Sequence, residues 1–311
     1  MPATSNTTGI LYSDGTFESS LKSQVKAIFG YDDSLGNVSI TNLVNIFGKV
    51  STDVTGVGTA RSRLAAAGYG GDKAIFGYGY TSTQVSMTNL VSYLGVVATD
   101  TTGVGTARQY LAAAGYGGDK AIFGYGRSGT DVSVTNLVSN TGVVNTDTTG
   151  VGTVRYYLAA AGYGGDKAIF GYGRNNSFVE YNLTNLVSNA GVVATDVTGV
   201  GTARWGLAAA GYGGDKAIFG YGFTFATNSL SVTNLVSNSG VVATDTTGVG
   251  TSRSYLAAAG YGGDKAIFGY GSINGTLTAI TNLVSNLGVV ATNTTGVGTV
   301  RLDLAAASYF S

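Results

Sequence analysis

The sequence predicts an all-β fold, a six-bladed β-propeller of four-stranded antiparallel blades, on three observations. The chain of 311 residues repeats one unit six times, at intervals of 47 to 49 residues. It contains 50 Gly and a single Pro, and it has no segment with the helical period of apolar residues. Its repeats begin with a second strand and end with a first strand, so the two ends of the chain can pair with each other.

Four landmarks define the repeated unit. In the second unit they are Leu64-Ala65-Ala66-Ala67, Lys73-Ala74-Ile75-Phe76-Gly77-Tyr78, Thr88-Asn89-Leu90-Val91 and a Thr-Gly-Val-Gly-Thr-x-Arg segment that ends at Arg108. The lysine that begins the second landmark occurs at Lys26, Lys73, Lys120, Lys167, Lys216 and Lys265. Because every landmark occurs six times, the sequence predicts six structural units of one kind.

Each unit offers four candidate strands. In the second unit they span residues 64–69, 73–77, 85–91 and 95–99. Gly70-Gly71-Asp72 permits the positive φ angles of a tight hairpin between the first two strands. The small Ala side chains of the first strand suit the crowded centre of a propeller, so we expect this strand to be the innermost.

The two ends of the chain predict how the units are arranged. Six second strands and six inner strands balance only if the C-terminal strand, Leu304 to Tyr309, pairs with the N-terminal blade. Such pairing would close the ring and leave no free sheet edge. We therefore assign residues 25–311 to the propeller and residues 1–24 to an N-terminal arm, an attachment segment with a possible hairpin on Asp14-Gly15.

The unit resembles the Kelch repeat. Arg61 precedes the inner strand, and Lys73-Ala74-Ile75-Phe76-Gly77 is similar to the second Kelch strand, which ends in an aromatic residue and two glycines. The resemblance covers all six units, but Gly77-Tyr78-Gly79 replaces the double glycine, and Val96-Val97 lies where the family has Trp. It implies the propeller architecture. The composition also resembles that of Gly/Thr/Tyr-rich repeat proteins of phage and virus particles.

Composition excludes several functions. The chain has no His and no Cys, so it lacks imidazole bases, thiol nucleophiles and their metal sites. Lys+Arg and Asp+Glu number 17 each, which argues against nucleic-acid binding. No apolar run is long enough to insert into a membrane, and no signal peptide is recognisable at the N-terminus.

The acidic residues argue against an enzyme, a metal and a cofactor. The repeated carboxylates, such as Asp100, are expected to cap turns through backbone N–H groups. One such Asp in each unit is too sparse for Ca²⁺. The acids outside the repeat pattern, including Asp131, Glu180 and Asp303, are scattered, whereas a glycosidase needs a carboxylate pair.

Three segments differ most between the six units. They are the loop between the second and third strands, the dipeptide that follows the repeated Arg, and the short turn before the fourth strand, such as Tyr93-Leu94. In an antiparallel blade the first two lie at the same end, so we expect one variable face rich in aromatic residues and Arg, as in recognition surfaces. The candidate ligand-binding residues are Tyr80, Tyr110, Arg127, Tyr156, Tyr157, Arg174, Phe178, Tyr181, Trp205, Phe223, Phe225 and Tyr255. The alternative interpretation is drift in unconstrained loops.

These observations predict a non-enzymatic binding module. The preferred hypothesis is a phage-tail or particle-surface adhesin or structural protein that recognises a cell-surface glycan or a neighbouring protein of the same assembly. The alternative is an intracellular, cytoplasmic Kelch-type scaffold for protein partners. A purely architectural role, in which the propeller plugs or decorates an assembly, would instead bury a large face.

Overall fold

The fold is all-β in a computed structural model that describes residues 4–6, 9–11, 17–18, 25–33 and 36–310. Among these residues there are strands, turns and isolated bridges but no helix, so none could span a membrane as a helix. The strands form small antiparallel sheets that repeat along the chain. The predicted all-β class is therefore confirmed.

Six sheets of three strands contain the repeats, and each sheet has an inner, a middle and an outer strand. In the order of sheets 1 to 6, the inner strands are Ala305–Phe310, Ala65–Tyr69, Ala112–Tyr116, Ala159–Tyr163, Ala208–Tyr212 and Ala257–Tyr261. The middle strands are Val25–Asp33, Lys73–Gly77, Lys120–Gly124, Lys167–Gly171, Lys216–Thr224 and Lys265–Gly269. The outer strands are Asn37–Val44, Thr88–Val91, Thr135–Val138, Thr184–Val187, Asn228–Val236 and Thr281–Val284.

Sheet 1 joins the two ends of the chain. Its inner strand comes from the C-terminus and pairs antiparallel with the first middle strand, with Ala305 opposite Gly30 and Tyr309 opposite Lys26. The middle strand then pairs with Asn37–Val44. The pairing that the strand count predicts between the C-terminal strand and the N-terminal unit is therefore present.

The prediction of four-stranded blades is wrong, because the fourth segment forms only isolated bridges. In sheet 2, Thr88 bridges Thr101 and Val91 bridges Val97. Between these two bridges the outer strand has two residues, 89 and 90, whereas the fourth segment has three, 98 to 100. The backbone pairing is therefore out of register between the bridges. The side-chain amide of Asn89 fills this irregularity by donating to the carbonyl of Ala98 at 2.9 Å. The polar side chain thus replaces backbone pairing.

The variable loops also contain short strands. Arg127–Ser128 pairs with Thr130–Asp131 in the loop of sheet 3, and Ser272–Ile273 pairs with Thr276–Leu277 in the loop of sheet 6, each pair as a separate two-stranded sheet. In sheets 1 and 5 the middle and outer strands themselves extend into the loop, with an irregularity in their register. The variable loops are therefore hairpins of different length that extend from the same kind of three-stranded sheet in each unit.

The hydrophobic core lies between successive sheets. Between sheets 2 and 3, for example, the core contains Ala65, Tyr69 and Ile75 of sheet 2 and Leu111 and Phe123 of sheet 3. An equivalent cluster lies at each of the remaining boundaries, including the one between sheets 6 and 1. A Cβ on Gly77 would lie 2.7 Å from Cζ of Phe123, so only Gly allows the two sheets to approach this closely.

A fully buried arginine joins each sheet to the one before it. Arg155, which leads into sheet 4, donates from Nε to the carbonyl of Tyr172 at 2.8 Å and from Nη2 to Oδ1 of Asn185 at 2.7 Å. Its guanidinium carbon lies 4.4 Å from the ring centre of Tyr125 in sheet 3. Burial lowers the pKa of Arg155, and the nearby Tyr125 and Asp196 oppose this shift. The repeated Arg residues are therefore structural.

The repeated carboxylates have the capping role that the sequence predicts. Asp196 accepts hydrogen bonds from the backbone N–H of Thr153 at 3.0 Å and from Nδ2 of Asn185 at 2.9 Å. Partial burial acts to raise its pKa, but the hydrogen bonds and the charge of Arg155 outweigh that effect and lower it. Each such carboxylate fixes the segment that enters its own sheet.

The N-terminal segment contains a separate small sheet. Thr4–Asn6, Gly9–Leu11 and Phe17–Glu18 form three antiparallel strands, with Leu11 opposite Phe17. The predicted hairpin thus has its paired strands, while its Asp14-Gly15 turn lies outside the described residues. The proposed attachment role of residues 1–24 stays a prediction.

Candidate functional site

Backbone pairing brings the variable loop and the variable dipeptide of a unit together. The first residue of the variable dipeptide bridges the first residue of the variable loop in five units, as Trp205 does with Phe223. The backbone N–H of Phe223 donates to the carbonyl of Trp205 at 2.7 Å. The predicted placement of both segments at one end of the sheet is therefore confirmed, and we call this end the variable face.

Aromatic side chains from sheets 3 to 6 form one connected cluster on the variable face. Trp205 lies near the centre of this cluster. Its ring centre is 5.0 Å from the ring centres of Tyr157 and Phe223 and 5.5 Å from that of Tyr255. Further ring contacts join Tyr110 to Tyr156 and Tyr157, and join Phe225 to Phe178, Trp205 and Phe223.

Arginine side chains lie over these rings. The guanidinium carbon of Arg174 is 4.1 Å from the ring centre of Trp205 and 5.1 Å from that of Phe178. Arg127 lies 5.5 Å from the ring centre of Tyr156. Such cation–π contacts contribute about 0.5–2 kcal/mol each, more when water is excluded. The arginines thus connect the loops of successive sheets.

Several candidate residues are less accessible than the sequence suggests. Trp205 is only 5% exposed and Tyr156 only 2%, because both pack against neighbouring rings and arginines. Phe178 and Phe225 are 64% and 50% exposed. The expectation that the whole cluster forms an open surface is therefore wrong for Trp205 and Tyr156, and the accessible apolar part is the Phe178–Phe225 pair.

Two candidates lie apart from the connected ring cluster. Tyr80 packs under Arg63, whose guanidinium carbon is 4.8 Å from its ring centre. The hydroxyl of Tyr181 accepts a hydrogen bond from Nδ2 of Asn175 at 2.9 Å, within its own loop. Both side chains are half-buried. They shape the loops on either side of the aromatic cluster.

Acidic residues of the variable loops hydrogen-bond to the next loop. Oδ2 of Asp131 accepts from the backbone N–H of Asn176 at 2.6 Å, and Oε1 of Glu180 accepts from that of Phe225 at 2.7 Å. These loops are therefore ordered relative to each other. The two acids have a structural role and do not face each other as a catalytic pair.

The second residue of the dipeptide forms a closed set of backbone hydrogen bonds. Each N–H donates to the carbonyl of the equivalent residue in the preceding unit, at 2.7 to 3.0 Å, and the last bond returns to the first residue. All six residues have φ between 53° and 60°. We call this set the hydrogen-bonded circuit; it consists of Arg63, Tyr110, Tyr157, Gly206, Tyr255 and Asp303.

The circuit surrounds a pocket of about 70 Å³ with six leucines beneath it. The carboxylate of Asp303 lies in it, 9% exposed, with its Oδ2 3.8 Å from Nε of Arg63. Burial raises the pKa of Asp303 to about 7, although Arg63 acts to lower it. Burial also raises the pKa of Tyr110 to about 12, and the charge of Asp303 adds to that shift.

A larger cavity lies at the opposite ends of the inner strands. It has a volume of about 280 Å³ and is lined by repeated Gly, Tyr and Lys residues and by Ser308. The lysines pair with neighbouring aspartates, as Lys167 does with Asp166 at 2.7 Å. The lining of this cavity is nearly the same in every unit, in contrast to the variable face.

The sequence did not single out the hydrogen-bonded circuit as a pocket. The available signal was Gly206, because a glycine in one of six equivalent positions is typical of a left-handed backbone. Unless the left-handed backbone is inferred for all six positions, the sequence does not show that Tyr157, Tyr255 and Asp303 line a common pocket. Among the described residues, no group of three acidic residues is placed to hold a metal ion.

Comparison of this sequence with models of known protein families gave no match, and comparison with curated protein sequences gave none either. The function must therefore be argued from the geometry of the variable face.

Proposed function

We infer that this chain is a non-enzymatic binding module in which six sheets close into a six-bladed β-propeller. Three observations support the closed arrangement. Hydrophobic clusters join each sheet to the next and sheet 6 to sheet 1. The hydrogen-bonded circuit returns to its first residue. All six inner strands contribute to one cavity. An open array of sheets would leave its first and last sheets without such partners.

The function rests on one observation, the convergence of the variable residues. The variable loops and dipeptides of sheets 3 to 6 form one connected cluster with exposed members, while the repeated residues build cores and turns. Drift would scatter aromatic residues without mutual contacts. A connected cluster of Trp, Tyr, Phe and Arg with exposed members is typical of a recognition surface.

The exposed Phe178 and Phe225 define the primary contact. Their ring centres are 5.7 Å apart, and the guanidinium carbon of Arg174 lies within 5.6 Å of both ring centres. Aromatic faces stack on the apolar faces of sugar rings, and Arg donates to hydroxyl or carboxylate oxygens. The preferred ligand is a cell-surface glycan, and the preferred setting is the surface of a virus particle, where Gly/Thr/Tyr-rich repeats also occur.

A protein partner is the second candidate. Val179, beside Phe178, is also exposed, so the accessible patch is more apolar than the sequence alone indicates. Apolar and aromatic residues with Arg at their centre are common in protein interfaces. This arrangement would suit a neighbouring particle protein or the partner of a cytoplasmic Kelch-type scaffold.

A glycan array and a pull-down with the purified chain test the proposal together. The paired variant Phe178→Ala/Phe225→Ala should lose the bound glycan or protein. The control Phe47→Ala removes a ring that is 78% exposed, but from a turn near Gly262 at the other end of the sheets. It should retain full binding. Binding that survives the paired variant, or is lost in the control, contradicts recognition through the variable face.

A further inference from the structure

We propose that the pocket inside the hydrogen-bonded circuit binds a primary alkylammonium group. The proposal goes beyond recognition at Phe178 and Phe225, because it uses the six residues of the circuit and the leucines beneath them. The ammonium group would lie against Asp303, and its alkyl chain would contact apolar and aromatic surfaces.

The charges around the pocket favour a cation. The Asp303 carboxylate accepts no hydrogen bond from any described residue, and its closest charged neighbour is Nε of Arg63 at 3.8 Å. The Arg63 guanidinium also forms an ion pair with Asp33, whose Oδ2 lies 3.4 Å from Nη2 of Arg63. Two carboxylates therefore share one guanidinium. A bound ammonium group would supply the missing positive charge and donate hydrogen bonds to Asp303.

Three tyrosines complete the lining. Tyr110, Tyr157 and Tyr255 line the same pocket as Asp303. Burial raises the pKa of Tyr157 and of Tyr255, and the negative charge of Asp303 adds to both shifts. Tyr110 packs on Tyr157 with ring centres 3.9 Å apart. Phenol oxygens accept N–H bonds and ring faces attract cations. The pocket can therefore satisfy an ammonium group on several sides.

Size and shape restrict the ligand. A volume of about 70 Å³ corresponds to about two water molecules, so it accommodates the nitrogen and the first carbons of a chain. Gly206 has no side chain, but the rings of Tyr157 and Tyr255 contact each other across its position, with ring centres 5.4 Å apart. The remaining alkyl chain would therefore lie against these rings and not pass between them. A bulky quaternary ammonium would not fit.

Binding should depend on the protonation of Asp303. Its pKa of about 7 reflects burial, opposed by Arg63 and reinforced by Asp33. The tyrosines around it keep their protons in this range because their pKa values are raised. An alkylammonium ion stays charged below about pH 9, as the pKa of a lysine amine indicates. Affinity should therefore increase from pH 6 to pH 8 as Asp303 loses its proton.

The fluorescence of Trp205, the single Trp of the chain, provides the measurement because its ring contacts both Tyr157 and Tyr255. The full chain is titrated with n-butylammonium, with tetramethylammonium and with butyrate, and calorimetry repeats each titration. We expect saturable binding of n-butylammonium alone, several-fold tighter at pH 8 than at pH 6. Saturation by butyrate, or no saturation with n-butylammonium in either method, overturns the proposal.

Variants separate the pocket from the rest of the face. Asp303→Asn should bind n-butylammonium at least about tenfold more weakly, because a charge-assisted hydrogen bond is lost. Asp131→Asn makes the same charge change outside the pocket and should bind normally. A Cβ at position 206 would lie 3.4 Å from the ring of Tyr255, so Gly206→Asn, which tolerates positive φ, should displace this ring from the pocket lining and also weaken binding. Unchanged affinity in folded Asp303→Asn and Gly206→Asn proteins contradicts the site.

The same variants distinguish this proposal from the proposed function. Phe178→Ala/Phe225→Ala should keep its affinity for n-butylammonium even where it loses the glycan or protein ligand. Loss of both activities in that paired variant, with the fold intact, would show that the pocket is not an independent site.

Discussion

The guanidinium of Arg155 stacks on the ring of Tyr125 across the boundary between sheets 4 and 3, with 4.4 Å between the guanidinium carbon and the ring centre. The same contact recurs at every boundary, including that of Arg301 with Tyr270, where the C-terminal unit meets sheet 6. Each arginine also hydrogen-bonds within its own sheet or the segment entering it. A charged residue thus connects neighbouring units in a chain with few charges.

Replacing Arg155 with Met should reduce the free energy of unfolding by about 3–5 kcal/mol, because it leaves Oδ1 of Asn185 and the carbonyl of Tyr172 without their buried donor. Urea denaturation at pH 7 measures the change. The control Lys167→Met removes an ion pair whose side chains are both about 40% exposed, so the loss should stay below about 1 kcal/mol. Equal losses in the two variants would contradict the structural role of the buried arginines.

Asn293 identifies a naturally weakened unit. It stands where the other sheets have Asp, so among the described residues the buried Arg253 lacks the carboxylate that in sheet 5 lies 4.0 Å from Nη1 of Arg204. Asn293→Asp should raise the free energy of unfolding by about 1 kcal/mol. Asp245→Asn, at the equivalent position in sheet 5, should lower it by a similar amount.

The gain from Asn293→Asp should depend on pH. At the equivalent position Asp245, partial burial acts to raise the pKa but hydrogen bonds from Thr202 and Asn234 outweigh it and lower it. A carboxylate whose pKa is lowered by folding stabilises the folded state at pH values above its pKa in the unfolded chain, which is about 4. This contribution is lost as the pH falls through the pKa of the folded state. Denaturation at pH 7 and pH 3 checks this: the gain should be present at pH 7 and lost at pH 3. A gain of equal size at both values would exclude the carboxylate as its source.

Asp303 should make the protein less stable at neutral pH than at mildly acidic pH. Its pKa is raised to about 7, so the folded state binds a proton more tightly than the unfolded chain does. The free energy of unfolding therefore falls as pH rises toward 7 and then levels off. The chain has no His to titrate in this range. The Tm should be higher at pH 5 than at pH 8, and Asp303→Asn should remove most of the difference. A wild-type Tm that rises over this range would show that Asp303 is ionised without cost.

Trp205 and Phe225 should respond differently to truncation. Trp205→Ala leaves a cavity among Tyr157, Phe223 and Tyr255 and should cost about 3–5 kcal/mol of stability. Phe225→Ala removes a half-exposed ring and should cost less than about 1 kcal/mol. Thermal unfolding compares the two. A Trp205→Ala protein as stable as the parent would contradict the buried position of the indole.

Much of the repeated architecture follows from the sequence alone. The alanine-rich inner strand and the Lys-Ala-Ile-Phe-Gly strand could be predicted because Gly-Gly-Asp turns bound them and their pattern recurs. The fourth strand could not, because the amide of Asn89 competes with backbone pairing, and only the register reveals that irregularity. At the variable face, the sequence indicates which residues vary but not their direction. The ring of Trp205 is buried in the aromatic cluster, whereas Tyr157 and Asp303 have a left-handed backbone conformation and line the pocket.

Distance measurement between spin labels tests most directly the claim that the six repeats close into one ring. The chain has no Cys, so labels can be attached to pairs of introduced cysteines at equivalent exposed turn positions. One pair is Phe47→Cys with Leu287→Cys, in sheets 1 and 6, and the reference pair is Ser239→Cys with Leu287→Cys, in the adjacent sheets 5 and 6. A closed ring predicts the same distance for both pairs. A much longer distance between positions 47 and 287 would contradict the closed ring and, with it, a single shared variable face.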